Sequence, residues 1–137
     1  MTNLIELAEF VRVNLRVPVE GNKKELIVTL SLNNGRTQTV LVSIKESSEG
    51  QLIEVRSRCG VISDAKNIRA LLKRNFRTPL GGIAMEIVNG HHVIDCVQRL
   101  VVPPGLSVDI AEFLDTISSI GVQADLIESK LGHADVF

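Results

Sequence analysis

Two Asn-Gly dipeptides, Asn34-Gly35 and Asn89-Gly90, each sit between runs in which apolar and polar residues alternate. Alternation marks strands with one buried face, and Asn-Gly supplies the positive-φ residues of a tight hairpin. Each hairpin therefore fixes two antiparallel strands. Between and around them lie segments whose apolar residues recur every three or four positions, the period of a helix packed on one side. The resulting order is helix, three strands, helix, two strands, long helix. This predicts an α+β fold, an antiparallel five-stranded sheet with three helices in the order α-βββ-α-ββ-α, formed as a single domain over 1–137.

The hydrophobic pattern also selects the turn. A two-residue loop at Asn34-Gly35 would set Leu30 opposite Thr39 and divide the apolar sets. A three-residue loop, Asn33-Asn34-Gly35, pairs Val28 with Val40 and Leu26 with Val42, and register follows the buried face. At Asn89-Gly90 the two-residue turn satisfies the pattern, pairing Met85 with Ile94 and Ile83 with Cys96. The strands are expected over 24–32 and 36–45. A third follows the polar turn 46–50, with Ile53, Val55, Cys59 and Val61 inward and Glu54, Arg56 and Arg58 outward. In the fourth, Ile83, Met85 and Ile87 point inward.

Asn3, with Glu6 three residues on, has the spacing of a helix cap, and Leu4, Leu7, Ala8, Val11 and Leu15 form one face up to Pro18. Ser63 is expected to cap a helix over 64–75. Ser107 is expected to cap the last, whose stripe is Ile110, Phe113, Leu114, Ile117, Ile120, Ala124, Ile127 and Leu131. Asn75 interrupts the apolar face of the middle helix and reads as a structural residue that ties the helix end to the next loop.

Composition narrows the function classes. Of 137 residues, 45% are hydrophobic and the net charge is −1, with no Trp or Tyr and four Phe. That balance gives no global attraction to nucleic acid or to an anionic membrane, and no run is long enough for a membrane span. The N-terminal stretch lacks the basic and apolar regions of a signal peptide. Two cysteines are too few for a disulfide framework. Both occupy apolar strand positions and read as reduced core residues, so a cytoplasmic location is expected.

No reactive constellation emerges. His91 and Asp95, like His92 and Cys96, stand four residues apart on one strand, roughly 13 Å, too far to share a metal ion. Pro79-Leu80-Gly81-Gly82 precedes a strand, whereas a phosphate-cradling loop opens a helix. No nucleophile has a base at a recognisable spacing. The chain is thus expected to be no enzyme, with no cofactor and no metal. One charge concentration stands out: Lys66, Arg69, Lys73, Arg74 and Arg77 line one side of the middle helix, with Asp109, Glu112 and Asp115 on the last helix as a counterpart.

Three stretches carry a resemblance: Leu71-Leu72-Lys73-Arg74-Asn75-Phe76, the run Thr78 to Met85 with its hairpin, and Ala124-Asp125-Leu126-Ile127-Glu128. They resemble the type III secretion chaperone-like superfamily, including its YbjN-type members, described as candidate sensory transduction regulators. The resemblance implies helices on one face of an antiparallel sheet, and a homodimer that holds a partly unfolded segment of another protein. It implies no cofactor and no active site. Members that serve secretion tend to be acidic, so this nearly neutral chain fits a housekeeping or regulatory relative better.

The residues themselves also point to a binding surface. Ile27, Leu41, Val88, Val93 and Val97 project to the sheet face away from the helices. Val122 and Leu126 lie off the stripe of the last helix. A partly apolar outer surface in a small domain marks an interface. The expected function is a non-catalytic protein-binding module, chaperone-like or regulatory, acting as a homodimer with one apolar group in the dimer and the other on the partner. The alternative is a nucleic-acid-linked regulator using the basic helix face.

Overall fold

The computed structural model describes residues 2–33, 35–62, 69, 73 and 82–131. The first helix, α1, spans Leu4–Leu15. Asn3 starts it, its side-chain oxygen accepting a hydrogen bond from the Glu6 amide at 2.9 Å, which satisfies one amide that lacks an intrahelical partner. Arg16 ends it in the left-handed conformation with φ 53°, its amide donating to the Arg12 carbonyl. Leu7, Ala8 and Val11 are buried as the period requires.

Among the described residues six strands follow, one more than expected: β1 (Val19–Gly21), β2 (Glu25–Ser31), β3 (Thr37–Ser47), β4 (Gly50–Ile62), β5 (Gly82–Val88) and β6 (His91–Val102). They form one antiparallel sheet in the order β1-β2-β3-β4-β6-β5. The extra strand is the short edge strand β1, in which Val19 pairs with Val28 and the Pro18 carbonyl accepts from the Thr29 amide. Three residues are too few to show alternation. Both hairpin registers are as expected, Val28 with Val40 and Leu26 with Val42, then Met85 with Ile94 and Ile83 with Cys96. Gly35 (φ 79°), Asn89 (φ 50°) and Gly90 (φ 80°) supply the left-handed turn residues.

The β4–β6 register shifts between Arg58 and Gly60, leaving Cys59 as an extra residue. This bulge corrects one expectation. Past it the faces exchange, so Ile62 is buried and Val61 is 55% exposed, where unbroken alternation would have put Val61 inside.

The long C-terminal helix, Ile110–Leu131, is α2 in this description. It begins later than expected. Asp109, not Ser107, caps it, its carboxylate accepting from the Glu112 amide at 3.1 Å. Phe113, Ile117, Ile120, Ala124 and Ile127 are buried, whereas Ile110 at the helix start is 40% exposed. Gly121 lets the helix settle onto β2 and β3, since a Cβ there would stand 2.4 Å from Leu30 Cδ1 and 3.4 Å from Val40 Cγ2. Each fully buried large apolar side chain contributes about 1.5–3 kcal/mol, and the core joins α1 and α2 to one face of β2, β3, β4 and β6. The middle helix expected over 64–75, with Ser63 and Asn75, lies outside the described residues, except that Arg69 and Lys73 are helical and exposed.

Candidate functional site: the open face of the sheet

Both described helices pack on the same side of the sheet, leaving the other side to be read row by row. One row crosses all six strands: Glu20, Ile27, Leu41, Arg56, Val97, Gly82. Beside it run Glu25, Ser43, Glu54, Arg99 and Arg58, Asp95, Ala84. Ile27, Leu41 and Val97 are half-buried in the middle of this face, and Val101 at its rim is 68% exposed.

The charged residues of the face form two layers. Glu54 and Asp95 lie at the base, with side chains 8% and 6% exposed. Guanidinium and ammonium groups cover them. Arg99 Nε stands 3.0 Å from Glu54 Oε2, and Lys45 Nζ stands 3.8 Å from the same oxygen. Arg58 donates from Nε to Asp95 Oδ1 at 3.1 Å and from Nη2 to Glu86 Oε1 at 2.9 Å. Arg56 lies between Glu54, Glu86 and Asp95 at 3.8–3.9 Å. A buried carboxylate is retained when cations compensate its lost hydration, and here it holds each arginine in place. The outer layer is therefore mainly cationic and pre-ordered, with the exposed Glu86 carboxylate among the guanidiniums and apolar surface alongside. Planar guanidiniums of this kind suit carboxylates and backbone carbonyls of another chain.

The expected interface residues divide on this geometry. Ile27, Leu41, Val88 and Val97 lie on the open face, Val88 at 37% exposure. Val93 shares that face, opposite Val61 and Glu86, yet is 5% exposed. Its burial removes it from the exposed set. Val122 and Leu126, each 48% exposed, are remote from the sheet's open face. They line a groove of about 330 Å³ between α2 and the end of β2, together with Leu30, Leu32 and Asp125. The ionic layer itself was missed. From the sequence Glu54, Arg56 and Arg58 read only as outward-facing, and only the cross-strand register brings Asp95, Glu86 and Arg99 to them.

Among the other candidates, Cys59 and Cys96 come together with their sulfurs 3.6 Å apart in the core. The hydrogen bond with Cys96, and then burial, hold the Cys59 thiol well above the ordinary thiol range, so the reactive thiolate is suppressed. Close by, Gln38 donates to Ser57 Oγ at 2.8 Å and to the Arg58 carbonyl at 2.9 Å. His91 lies at the hairpin end of β6 opposite Val88, while Asp95 is engaged by Arg58. The described residues contain no group of three His, Cys, Asp or Glu side chains able to hold a metal ion, and no described helix is long and apolar enough to cross a membrane.

No protein-family model and no curated protein matches the chain. Among solved structures it is similar to YbjN from E. coli, a candidate transcription regulator, with a TM-score of 0.63 at 14% identity. The likeness covers 96% of this chain and 93% of that one. At this identity it shows a shared fold: the α+β architecture is YbjN-like.

Proposed function

We propose that this chain is a non-catalytic protein-binding module, chaperone-like or regulatory, that acts as a homodimer and holds a segment of a partner protein on the open face of its sheet. The observation that carries this reading is the ordered cationic layer over buried Glu54 and Asp95, set beside half-buried Ile27, Leu41 and Val97. The charged groups there pair with one another across an open surface, which suits recognition better than chemistry. The YbjN-like fold supports the regulatory part of the reading, since that neighbour is described as a candidate transcription regulator.

The test uses Leu41→Asp, which places a carboxylate in the middle of the face where the wild type is apolar. Proteins recovered from the native cell with the wild type, identified by mass spectrometry, should be lost with the variant while its circular dichroism is unchanged. An identical set from both would remove the open face from the function. A second reading, a regulator that contacts nucleic acid, is favoured by the exposed Arg69 and Lys73, one helical turn apart. Binding to DNA or RNA that weakens steeply with salt would select it.

A further inference from the structure

We infer that the open face, at its Lys45 and Arg99 end, takes an extended segment of a partner protein whose sheet-facing residues read apolar, acidic, apolar. The inference rests on the open-face reading above and names the chemistry of the segment that is held.

Three successive rows of this face differ in kind. The first holds Lys45, Leu52 and Val101, the second Ser43, Glu54 and Arg99, and the third Ile27, Leu41, Arg56 and Val97. Lys45 leans out of the first row toward the second, its Nζ 3.8 Å from Glu54 Oε2, where Arg99 Nε stands at 3.0 Å. Arg56 Nη1 reaches the other oxygen of that carboxylate at 3.9 Å. The first row is thus left apolar by Leu52 and Val101, the second carries the cations, and the third is apolar on both sides of Arg56. This end of the face is open to solvent. The side chains of Lys45 and Arg99 are 64% and 58% exposed, and Val101 is 68% exposed.

Charge is spread unevenly along the rows. Three cations surround the single carboxylate of Glu54, whereas Asp95 and Glu86 together are met by Arg58 and the far side of Arg56. The excess positive charge therefore lies beside Glu54. A guanidinium has several N–H donors, and among the described residues Arg99 bonds only Glu54, through Nε. A visiting carboxylate between Lys45 and Arg99 gains charge-assisted hydrogen bonds without displacing Glu54. Spacing then selects the conformation of the visitor. Side chains on one face of a strand repeat about every 6.8 Å. An extended segment laid along β4 has the same repeat, so its alternate residues fall on successive rows. An apolar residue meets Leu52 and Val101, an acid meets Lys45 and Arg99, and a second apolar residue meets Leu41 and Val97. A nucleic-acid backbone matches less well. It offers phosphates but no apolar group to the outer rows, and none of the six strands contains a Phe, Tyr or Trp on which a base could stack.

The probe is the end-blocked peptide Ser-Leu-Ser-Glu-Ser-Leu-Ser, whose symmetric pattern prejudges neither chain direction, titrated into the isotope-labelled chain. The amide resonances of Lys45, Glu54, Arg99 and Val101 should move with it. Exchanging the peptide's glutamate for glutamine should raise the dissociation constant about fivefold, and so should Lys45→Gln or Arg99→Gln in the chain, the weight of one partly exposed charge pair. The glutamine peptide should bind wild type and variants alike. Lys45 is exposed, so Lys45→Gln carries the comparison alone should loss of Arg99 from buried Glu54 unfold the chain. Equal binding of the two peptides at these residues overturns the acidic preference and leaves the open-face reading standing. A glutamate peptide that moves none of these resonances overturns the inference, while the reading itself falls only if Leu41→Asp keeps the wild-type partners. Oligothymidylate that moves the same resonances at lower concentration than the peptide overturns the inference in favour of nucleic acid.

Discussion

Gly50 shows how much one residue can be constrained by a neighbouring strand. It opens β4 with φ 119°, and a Cβ there would stand 2.2 Å from the Val102 carbonyl oxygen and 3.1 Å from Pro103 Cα. Both obstacles are backbone, so relief requires the end of β6 to move. Gly105 also has positive φ, 80°, but a Cβ there would meet nothing within 4 Å. Gly50→Ala should therefore cost about 3 kcal/mol, combining backbone strain with overpacking, whereas Gly105→Ala should cost about 1 kcal/mol from conformation alone. Urea unfolding of the two variants measures the difference, and equal losses would mean that the β4–β6 contact at this end is loose. The Gly50 constraint is invisible in the sequence, where Ser48-Glu49-Gly50 reads as a polar turn. The turn was legible, but the approach of β6 depends on strands about fifty residues apart.

At the scale of elements, the closing helix is clamped to the first hairpin by Arg36, which meets two carboxylates. Arg36, just past the Asn33-Asn34-Gly35 loop, places Nε 2.8 Å from Asp125 Oδ1 and Nη2 3.9 Å from Glu128 Oε2. This gives a physical role to Asp125 and Glu128 of the Ala-Asp-x-x-Glu stretch: they lie one helical turn apart and close on the same guanidinium. Asp125 is 6% exposed at the side chain and Arg36 is 44% exposed, so the gain is screened by water on one side only. Arg36→Met, which withdraws the cation from a buried carboxylate, should cost about 2 kcal/mol, and Asp125→Asn about 1 kcal/mol. A double-mutant cycle should give a coupling of about 1 kcal/mol. Strict additivity would mean that the pair does not hold the helix to the hairpin. Long, strongly periodic elements such as α1, β2, β3 and α2 were legible, because burial imposes its period on many residues at once. β1 was not, being too short for a period, and the change of face at Cys59 was not, because a bulge inserts a residue without marking the composition.

For the whole molecule, the division of the sheet into a helix-bearing face and an open face was legible from alternation alone. The open face was not legible as a charged surface. Glu54, Asp95, Glu86, Arg56, Arg58 and Arg99 come from three strands, and only the strand order β4-β6-β5 assembles them. The same order leaves Met85 and Ile87 exposed on β5, and the proposed homodimer would link stability to association. A chain whose native species is a dimer unfolds with a midpoint that rises with protein concentration, by mass action. A hundredfold rise in concentration is worth about 2.7 kcal/mol per dimer, or roughly half that per chain, which for a domain of this size shifts the thermal midpoint by about 5 °C. The wild type should show that shift between micromolar and hundred-micromolar solutions by circular dichroism. A concentration-independent wild type would overturn the homodimer reading.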